Sequence, residues 1–319
     1  MWGMLFSLPL VSQTKSRKHR PMTVKTLILK TAGINCDEEL AHAFRLAGSD
    51  ADIVHINELV RGERSLAEYD ILGFPGGFSY GDDISAGRIL ATEVTARLID
   101  DILAFHQLGG LIIGICNGFQ ALVKARLLPD PLDILNCRDS QPRATVFWND
   151  SGKFEDRWTT LRVEPNTKCI WTKDLPELVE YPVAHAEGKF IPASDEILDK
   201  LGSSGQIVFR FCDPENPDAC ERGQVPFPLN PNGSIGNITG ICDPTGRILG
   251  LMPHPERFTH PTNHPRWTRL RADATAAMPA RRVGVGESGG RADGLPLFRC
   301  AVEYIERKAG SALQQGSRW

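Results

Sequence analysis

Between residues 24 and 128 short apolar runs alternate with amphipathic stretches. Residues 24–30 (VKTLILK), 51–56 and 69–74 read as β-strands, each bounded by turn or polar residues. Residues 37–47 place Leu40, Phe44 and Ala47 on one helical face. Leu90, Val94, Leu98, Ile102 and Phe105 recur at spacings of three and four, which predicts one long amphipathic helix stopped by Gly109 and Gly110. Residues 110–115 form a continuous apolar strand, and 117–128 continue as a helix. This order is the alternation of an open, mostly parallel sheet flanked by helices. Uniformly apolar strands suit a sheet buried on both faces.

The middle of the chain changes character. Residues 144–148, 158–163 and 206–211 read as strands without long helices between them, an antiparallel extension of the sheet. Residues 213–231, rich in proline and charge, read as a surface loop. Residues 238–242 and 247–252 flank Asp243-Pro244-Thr245-Gly246, which has the chemistry of a hairpin turn. Residues 271–294 carry alanine, glycine, arginine and serine with almost no large apolar side chains, and read as a flexible insertion. A last helix over 297–305 buries Leu297, Ala301 and Tyr304 or Ile305. The expected organisation is a disordered extension over 1–22, a single α/β domain over 23–306 carrying the insertion, and a tail over 307–319.

Composition leaves that picture in place. Hydrophobic residues make up 41% and charged residues 24%, with a net charge of −3, as in ordinary globular proteins. The basic residues do not cluster as a nucleic-acid footprint would require. The one basic run, Lys15 to Arg20, follows an apolar start, the reverse of a secretory signal. It reads as a disordered extension, with an organelle or export signal as the alternative. No segment has the apolar length of a membrane span, so a cytoplasmic location is expected. Eight cysteines contain no C-x-x-C pair, which argues against a zinc knuckle, and reduced thiols are expected.

Candidate chemistry concentrates at three strand ends. Gly114-Ile115-Cys116-Asn117-Gly118 lies between a buried strand and a helix. Small neighbours permit a tight nucleophile turn there. The helix N-terminus favours thiolate at Cys116, and the Asn117 N–H points toward the same space, where it can bind an oxyanion. The other seven cysteines, Cys36 among them, read as inert core residues. Pro253-His254-Pro255-Glu256 follows the apolar strand at 248–252. Proline holds His254 extended, so that His254 and Glu256 face one side; a histidine can activate a thiol and a carboxylate can orient the histidine. Gly76 and Gly77, in Pro75-Gly76-Gly77-Phe78-Ser79, permit close backbone approach. That turn suits half of an oxyanion hole or a plain β–α connection equally well.

These residues carry a resemblance. GICNGFQ at 114–120, PGGFSYGDD at 75–83 and PHPERF at 253–258 resemble class I glutamine amidotransferases, which have a flavodoxin-like fold. GINCDEE at 33–39, NDSGKFEDRW at 149–158, PVAHAEGKF at 182–190 and DGLPLFRCAVEYI at 293–305 narrow it to the glutaminase subunits of phosphoribosylformylglycinamidine synthase, an enzyme of purine biosynthesis. The resemblance spans roughly 23–267 and resumes at 293, domain-sized coverage.

The resemblance implies that Cys116 is the nucleophile, His254 the base and Glu256 its orienting partner. It places the oxyanion hole around Gly76, Gly77, Phe78 and Asn117, has Gln120 hold the bound glutamine, and sets His185 and Glu187 near the site. Locally, His185 reads as a structural histidine rather than a catalyst. No metal or organic cofactor is implied for this chain. ATP and Mg are expected on a partner, an ATP-dependent synthetase subunit, with a small accessory subunit beside it; the chain itself has no G-x-x-x-x-G-K-[ST] loop. The sequence departs from the family pattern at residues 31–33 and 83–88, in the insertion and in the N-terminal extension. Three rival readings stand beside this one. In an α/β-hydrolase the acid precedes the histidine, whereas here it follows. An amidotransferase serving another acceptor and a non-catalytic binding subunit are separated from the main reading by assay.

Overall fold

The protein was analysed as a computed structural model that describes residues 23–132, 134, 141–269 and 291–316. The basic run, residues 271–290 of the expected insertion, Cys137 and the last three residues lie outside these. Eleven strands are described: β1 (Lys25–Lys30), β2 (Asp50–His55), β3 (Ile71–Phe74), β4 (Leu111–Ile115), β5 (Ala144–Trp148), β6 (Glu155–Val163), β7 (Leu178–His185), β8 (Glu187–Pro192), β9 (Ile207–Phe211), β10 (Ile238–Cys242) and β11 (Ile248–Leu251). The main helices are α1 (Asp37–Leu46), α2 (Ile56–Val60), α3 (Arg88–Arg97), α4 (Ile99–Gln107), α5 (Asn117–Lys124), α6 (Asp195–Ser203) and α7 (Gly294–Gly316).

Nine strands form one sheet in the order β2-β1-β3-β4-β11-β10-β9-β6-β7. Pairing is parallel from β2 through β11 and antiparallel from β11 through β7. This is the open sheet with an antiparallel extension that the alternation of elements predicts. Every residue of β3, β4, β10 and β11 is buried, as expected of central strands covered on both faces. Strands β5 and β8 pair separately as a two-stranded antiparallel sheet.

Several elements differ from the sequence reading. The predicted long helix is two, α3 and α4, because Leu98 leaves helical geometry at φ −127°, ψ 0°. Its apolar stripe survives the break: Leu90, Val94, Leu98, Ile102 and Phe105 are all buried. Helix α5 stops at Lys124, short of the expected 128. Residues 213–231 are not simply a surface loop. Cys220 and Asn230 are buried, and Asn237 holds the segment by donating to the Cys220 and Gly223 carbonyls and accepting from the Val225 N–H. Buried loop backbone needs such partners. At the end of the expected insertion Asp293 is buried and ordered, accepting from the Glu180 N–H at 2.8 Å. Helix α7 then packs on α1 through Phe44 and Phe298, ring centroids 5.0 Å apart.

Because β1, β3, β4 and β11 run parallel, their carboxyl ends open on one edge of the sheet. In open α/β sheets this edge is where ligands bind. Each of the four strands delivers a turn there: Cys36 after β1, Gly76 and Gly77 after β3, Cys116 after β4, and His254 after β11.

Candidate active site

Cys116 stands between β4 and α5 with φ 52° and ψ −108°, a positive φ that non-glycine residues seldom adopt. Close packing holds it there. A Cβ on Gly118 would lie 2.0 Å from the Phe74 carbonyl oxygen, and one on Gly114 would lie 2.5 Å from Leu122 Cδ1. Only glycine lets β3, β4 and α5 approach this closely, and that approach forces the turn. Strain of this kind persists where surrounding packing over-determines it, typically at functional sites. The Cys116 N–H donates to the Leu251 carbonyl at 2.8 Å, and Sγ lies 3.7 Å from the Ala184 carbonyl.

His254 is 1% exposed and Glu256 4% exposed, with Nδ1 and Oε1 2.6 Å apart. The His254 N–H donates to the Pro182 carbonyl at 2.8 Å, which fixes the segment against β7. Burial opposes the charged imidazolium, but the Glu256 carboxylate and then the Cys116 thiol outweigh it and raise the His254 pKa well above its ordinary value. Nε2 makes no hydrogen bond, and Cys116 interacts with the same imidazole. The structure thus brings Cys116, His254 and Glu256 together, in the order thiol, imidazole, carboxylate. Such a row can move a proton between a thiol and a leaving group.

The turn after β3 is placed against this row. Gly76 fits because a Cβ would come 2.7 Å from His254 Cε1. Phe78 belongs to the neighbourhood, yet its N–H donates to the Gly33 carbonyl at 2.9 Å and is not offered to an oxyanion; its half-exposed ring stacks on Phe154. Gly77 and Asn117 remain the backbone donors to consider.

Asn117, Gln120, Glu187 and His185 each make internal hydrogen bonds. Asn117 accepts from the Ser79 N–H at 3.1 Å and donates to Asp82 and Gln120 at 3.0 Å each. Gln120 donates to the Glu187 carbonyl, so its amide is engaged inside the protein. Glu187 accepts from the Ala86 N–H at 3.2 Å and lies 3.6 Å from Lys124 Nζ. Lys124 also donates to Ser85 and to the Ala86 carbonyl. Asp82 accepts from the Gly87 N–H. Burial raises the Asp82 pKa and lowers that of Lys124. This network ties the 79–87 loop to α5 and to the corner where β7 passes into β8.

His185 sits on that corner, 3% exposed. Asn149 spends its Nδ2 on the His185 and Lys153 carbonyls, so its Oδ1 is the acceptor for His185 Nδ1–H at 3.1 Å. Burial first, and the charge of His254 second, push the His185 pKa down to about 3. The ring is therefore neutral in the folded protein. Its folded pKa lies below the ordinary value near 6.5, so its stability contribution is complete above that value and is lost as pH falls toward 3. Between about pH 6 and pH 4 the unfolding free energy should drop by about 1.4 kcal/mol per pH unit from this residue. Urea titrations of the wild type and His185→Gln should show a shallower acid limb in the variant; equal slopes would mean that His185 titrates normally.

Two contributors escaped the sequence reading. Cys36, read there as core, lies against His254 and accepts a hydrogen bond from Arg257 Nη2 at 3.1 Å. Burial raises its pKa. The clue was available: Cys36 follows β1 at the same sheet edge as the three chosen turns. Lys124 gave no such clue, since its partners are loop atoms distant in sequence.

Comparison with known proteins identifies the family. Residues 23–305 match the family described as the CobB/CobQ-like glutamine amidotransferase domain. A protein of Dehalococcoides mccartyi named phosphoribosylformylglycinamidine synthase subunit PurQ is 47% identical over 284 residues, covering 89% of this chain and 98% of the relative. An identically named protein of Archaeoglobus fulgidus is 41% identical, with the same coverage of each chain. Among solved structures, a chain of PurLQS from Thermotoga maritima superposes with a TM-score of 0.61 at 26% identity, covering 89% of this chain and all of that one. The chain belongs to the CobB/CobQ-like glutamine amidotransferase family.

Proposed function

We propose that this chain is the glutaminase subunit of a phosphoribosylformylglycinamidine synthase, releasing ammonia from glutamine for use by an ATP-dependent synthetase subunit. The observation that carries the proposal is the buried Cys116, His254 and Glu256 row on a sheet edge, in a chain whose relatives at 41–47% identity bear that enzyme's subunit name.

The chemistry follows from the row. The Cys116 thiolate attacks the side-chain amide carbonyl of glutamine, and backbone N–H groups of Gly77 and Asn117 receive the oxyanion. A donor of this kind is worth about 3 kcal/mol of barrier. Imidazolium at His254 protonates the departing nitrogen, leaving a glutamyl thioester on Cys116. Water that has given a proton to His254 Nε2 then releases glutamate. Glu256 holds the tautomer and compensates the imidazolium charge.

Ammonia is useful to a ligase only if it escapes bulk water, so the site is read as facing a partner. Exposed apolar side chains beside the site, Phe78 stacked on Phe154 and Ile84 at 74% exposure, support a docked neighbour, since such patches mark contact surfaces. The synthetase subunit is taken to hold ATP and Mg, and a small accessory subunit completes the assembly. Among the described residues no helix is long and apolar enough to cross a membrane.

The test is reconstitution with synthetase and accessory subunits, ATP and formylglycinamide ribonucleotide. Glutamate and amidine should form in equal amounts. Glutamate without amidine would assign the chain to another acceptor, and neither product would leave a binding subunit.

A further inference from the structure

The loop over residues 79–87 is wound in an unfavourable conformation. Tyr80, Gly81 and Asp82 take φ of 55°, 73° and 53° in succession, a left-handed run that a tyrosine adopts only under constraint. The first half of the loop is held by the Tyr80 N–H on the Ala32 carbonyl at 2.8 Å and by the Tyr80 hydroxyl on Glu93 at 2.6 Å. The second half meets Lys124 and Glu187. The Lys124 side chain, at the end of α5, is 9% exposed; its Nζ donates to Ser85 Oγ at 3.1 Å and to the Ala86 carbonyl, and lies 3.6 Å from Glu187 Oε2. Glu187 accepts from the Ala86 N–H, so ammonium and carboxylate together grip both backbone polar groups of Ala86. Gly87 then lies so close to α5 that a Cβ would fall 2.8 Å from the Ala121 nitrogen. Gly87 N–H and Asn117 Nδ2 share Asp82 Oδ1, at 3.1 and 3.0 Å, and Asn117 Oδ1 takes the Ser79 N–H at 3.1 Å. The grip at Ala86 is thereby carried to Asn117 and to the turn that holds Gly77.

We propose that Lys124 is a positioning residue for the reaction: its buried ammonium locks the 79–87 loop and so fixes the placement of the Gly77 N–H relative to the Asn117 N–H. On the glutaminase reading, on which this rests, those two N–H groups receive the oxyanion. They belong to different elements, the turn after β3 and the start of α5, and the Ser79 to Asn117 hydrogen bond is the tie between them. An oxyanion needs both donors at about 2.7–3.1 Å at once. Drift of either donor therefore costs rate while glutamine still binds. Lys124 acts through Ala86, Gly87 and Asp82 rather than on glutamine or on Cys116. The plainer role for a buried ammonium is to neutralise Glu187 and protect the fold, because a buried carboxylate left alone is costly. The two roles differ in what they do to the turnover of folded enzyme.

The lock and its use are measured apart. Hydrogen exchange on the full chain reads the lock without reference to any activity. In Lys124→Met the Ala86 and Gly87 amides, bound to Glu187 and Asp82, should exchange at least about tenfold faster than in wild type, because protection falls where local contacts are lost. Unchanged exchange would overturn the lock. The reconstituted assembly, held well below its unfolding temperature, reads the use. The kcat for glutamine should fall about a hundredfold, the scale of a misplacement of roughly 1 Å. KM should stay within about threefold, as when an interaction is lost only in the transition state. Alkylation of Cys116 by iodoacetamide needs no oxyanion donors and should keep its wild-type rate. An unchanged kcat with lowered stability would reduce Lys124 to a partner for Glu187. Alkylation slowed as much as turnover would place the damage in the Cys116 turn instead. Either result overturns the positioning role. Should Lys124→Met fail to fold, Asp82→Ala cuts the same path one link nearer Asn117 and must show the same split of kcat from KM. A wild-type assembly that releases no glutamate would sink the glutaminase reading itself, a failure visible before any variant is made.

Discussion

Replacing Cys116 with alanine should lower glutamine-dependent amidine synthesis by at least about four orders of magnitude, roughly 5.5 kcal/mol of transition-state stabilisation, while ammonia-dependent synthesis by the same assembly continues unchanged. The reason for the split is chemical. Alanine removes the atom that forms the thioester, and nothing nearby replaces it in the attacking position. Ammonia supplied from solution needs no thioester. The fold should tolerate the change, because alanine keeps the Cβ and the positive φ is imposed by glycine packing at positions 114 and 118. The sulfur lost lies beside the Ala184 carbonyl and the His254 imidazole. Thermal unfolding of the variant should therefore stay close to wild type, which separates a chemical loss from a folding loss. Glutamine-dependent turnover equal to wild type would remove Cys116 as nucleophile. If Cys36 rescued part of the activity, the Cys36→Ser, Cys116→Ala double variant would lose what remained.

The three chosen turns were legible because each joins an apolar strand to a small-residue or proline-rich segment, and parallel strands send such turns to one edge. The hairpin at 243–246 was legible for the same local reason: Asp243 Oδ1 accepts from the Arg247 and Ile248 N–H groups. Strand β7 was not legible. Its Pro182 argues against a strand interior, yet β7 is the edge of the sheet, where a missing N–H costs little. Pro182 pairs with Trp158 on β6 and gives its carbonyl to His254. The β7–β8 corner, with His185 and Glu187, therefore entered only through family resemblance. Local pattern also cannot say where a polar side chain will spend its hydrogen bonds. Gln120, for which the resemblance implies substrate contact, also bonds the Glu187 carbonyl. Cys36 illustrates the converse. Buried cysteine is ordinary by base rate, and only the register of β1 beside β3 brings it to His254.

Glu256→Gln should lower kcat/KM for glutamine by about 10³ to 10⁴, the scale seen when the acid of such a row loses its charge but keeps its shape. Glutamine can still offer an oxygen to His254 Nδ1–H, so the ring need not turn. What disappears is the charge. Burial alone holds His254 down; the Glu256 carboxylate is the larger of the influences that raise it, with Cys116 next. Without the carboxylate burial prevails, imidazolium becomes scarce, and proton delivery to departing ammonia fails. The alkaline limb of the pH profile, set by His254 losing its proton, should move toward lower pH in the variant. Stability carries the same sign. A folded pKa above the ordinary value contributes fully below about 6.5 and is lost as pH rises through the raised value, so wild-type stability should decline on that side more than the variant's. The unpaired Oε2 of Glu256 gives this a structural basis. A buried carboxylate oxygen without a donor is a standing cost, and the imidazolium opposite Oε1 is the compensation visible for it. An unshifted alkaline limb with near-normal turnover would mean that Glu256 only fills space, and that His254 acts without it.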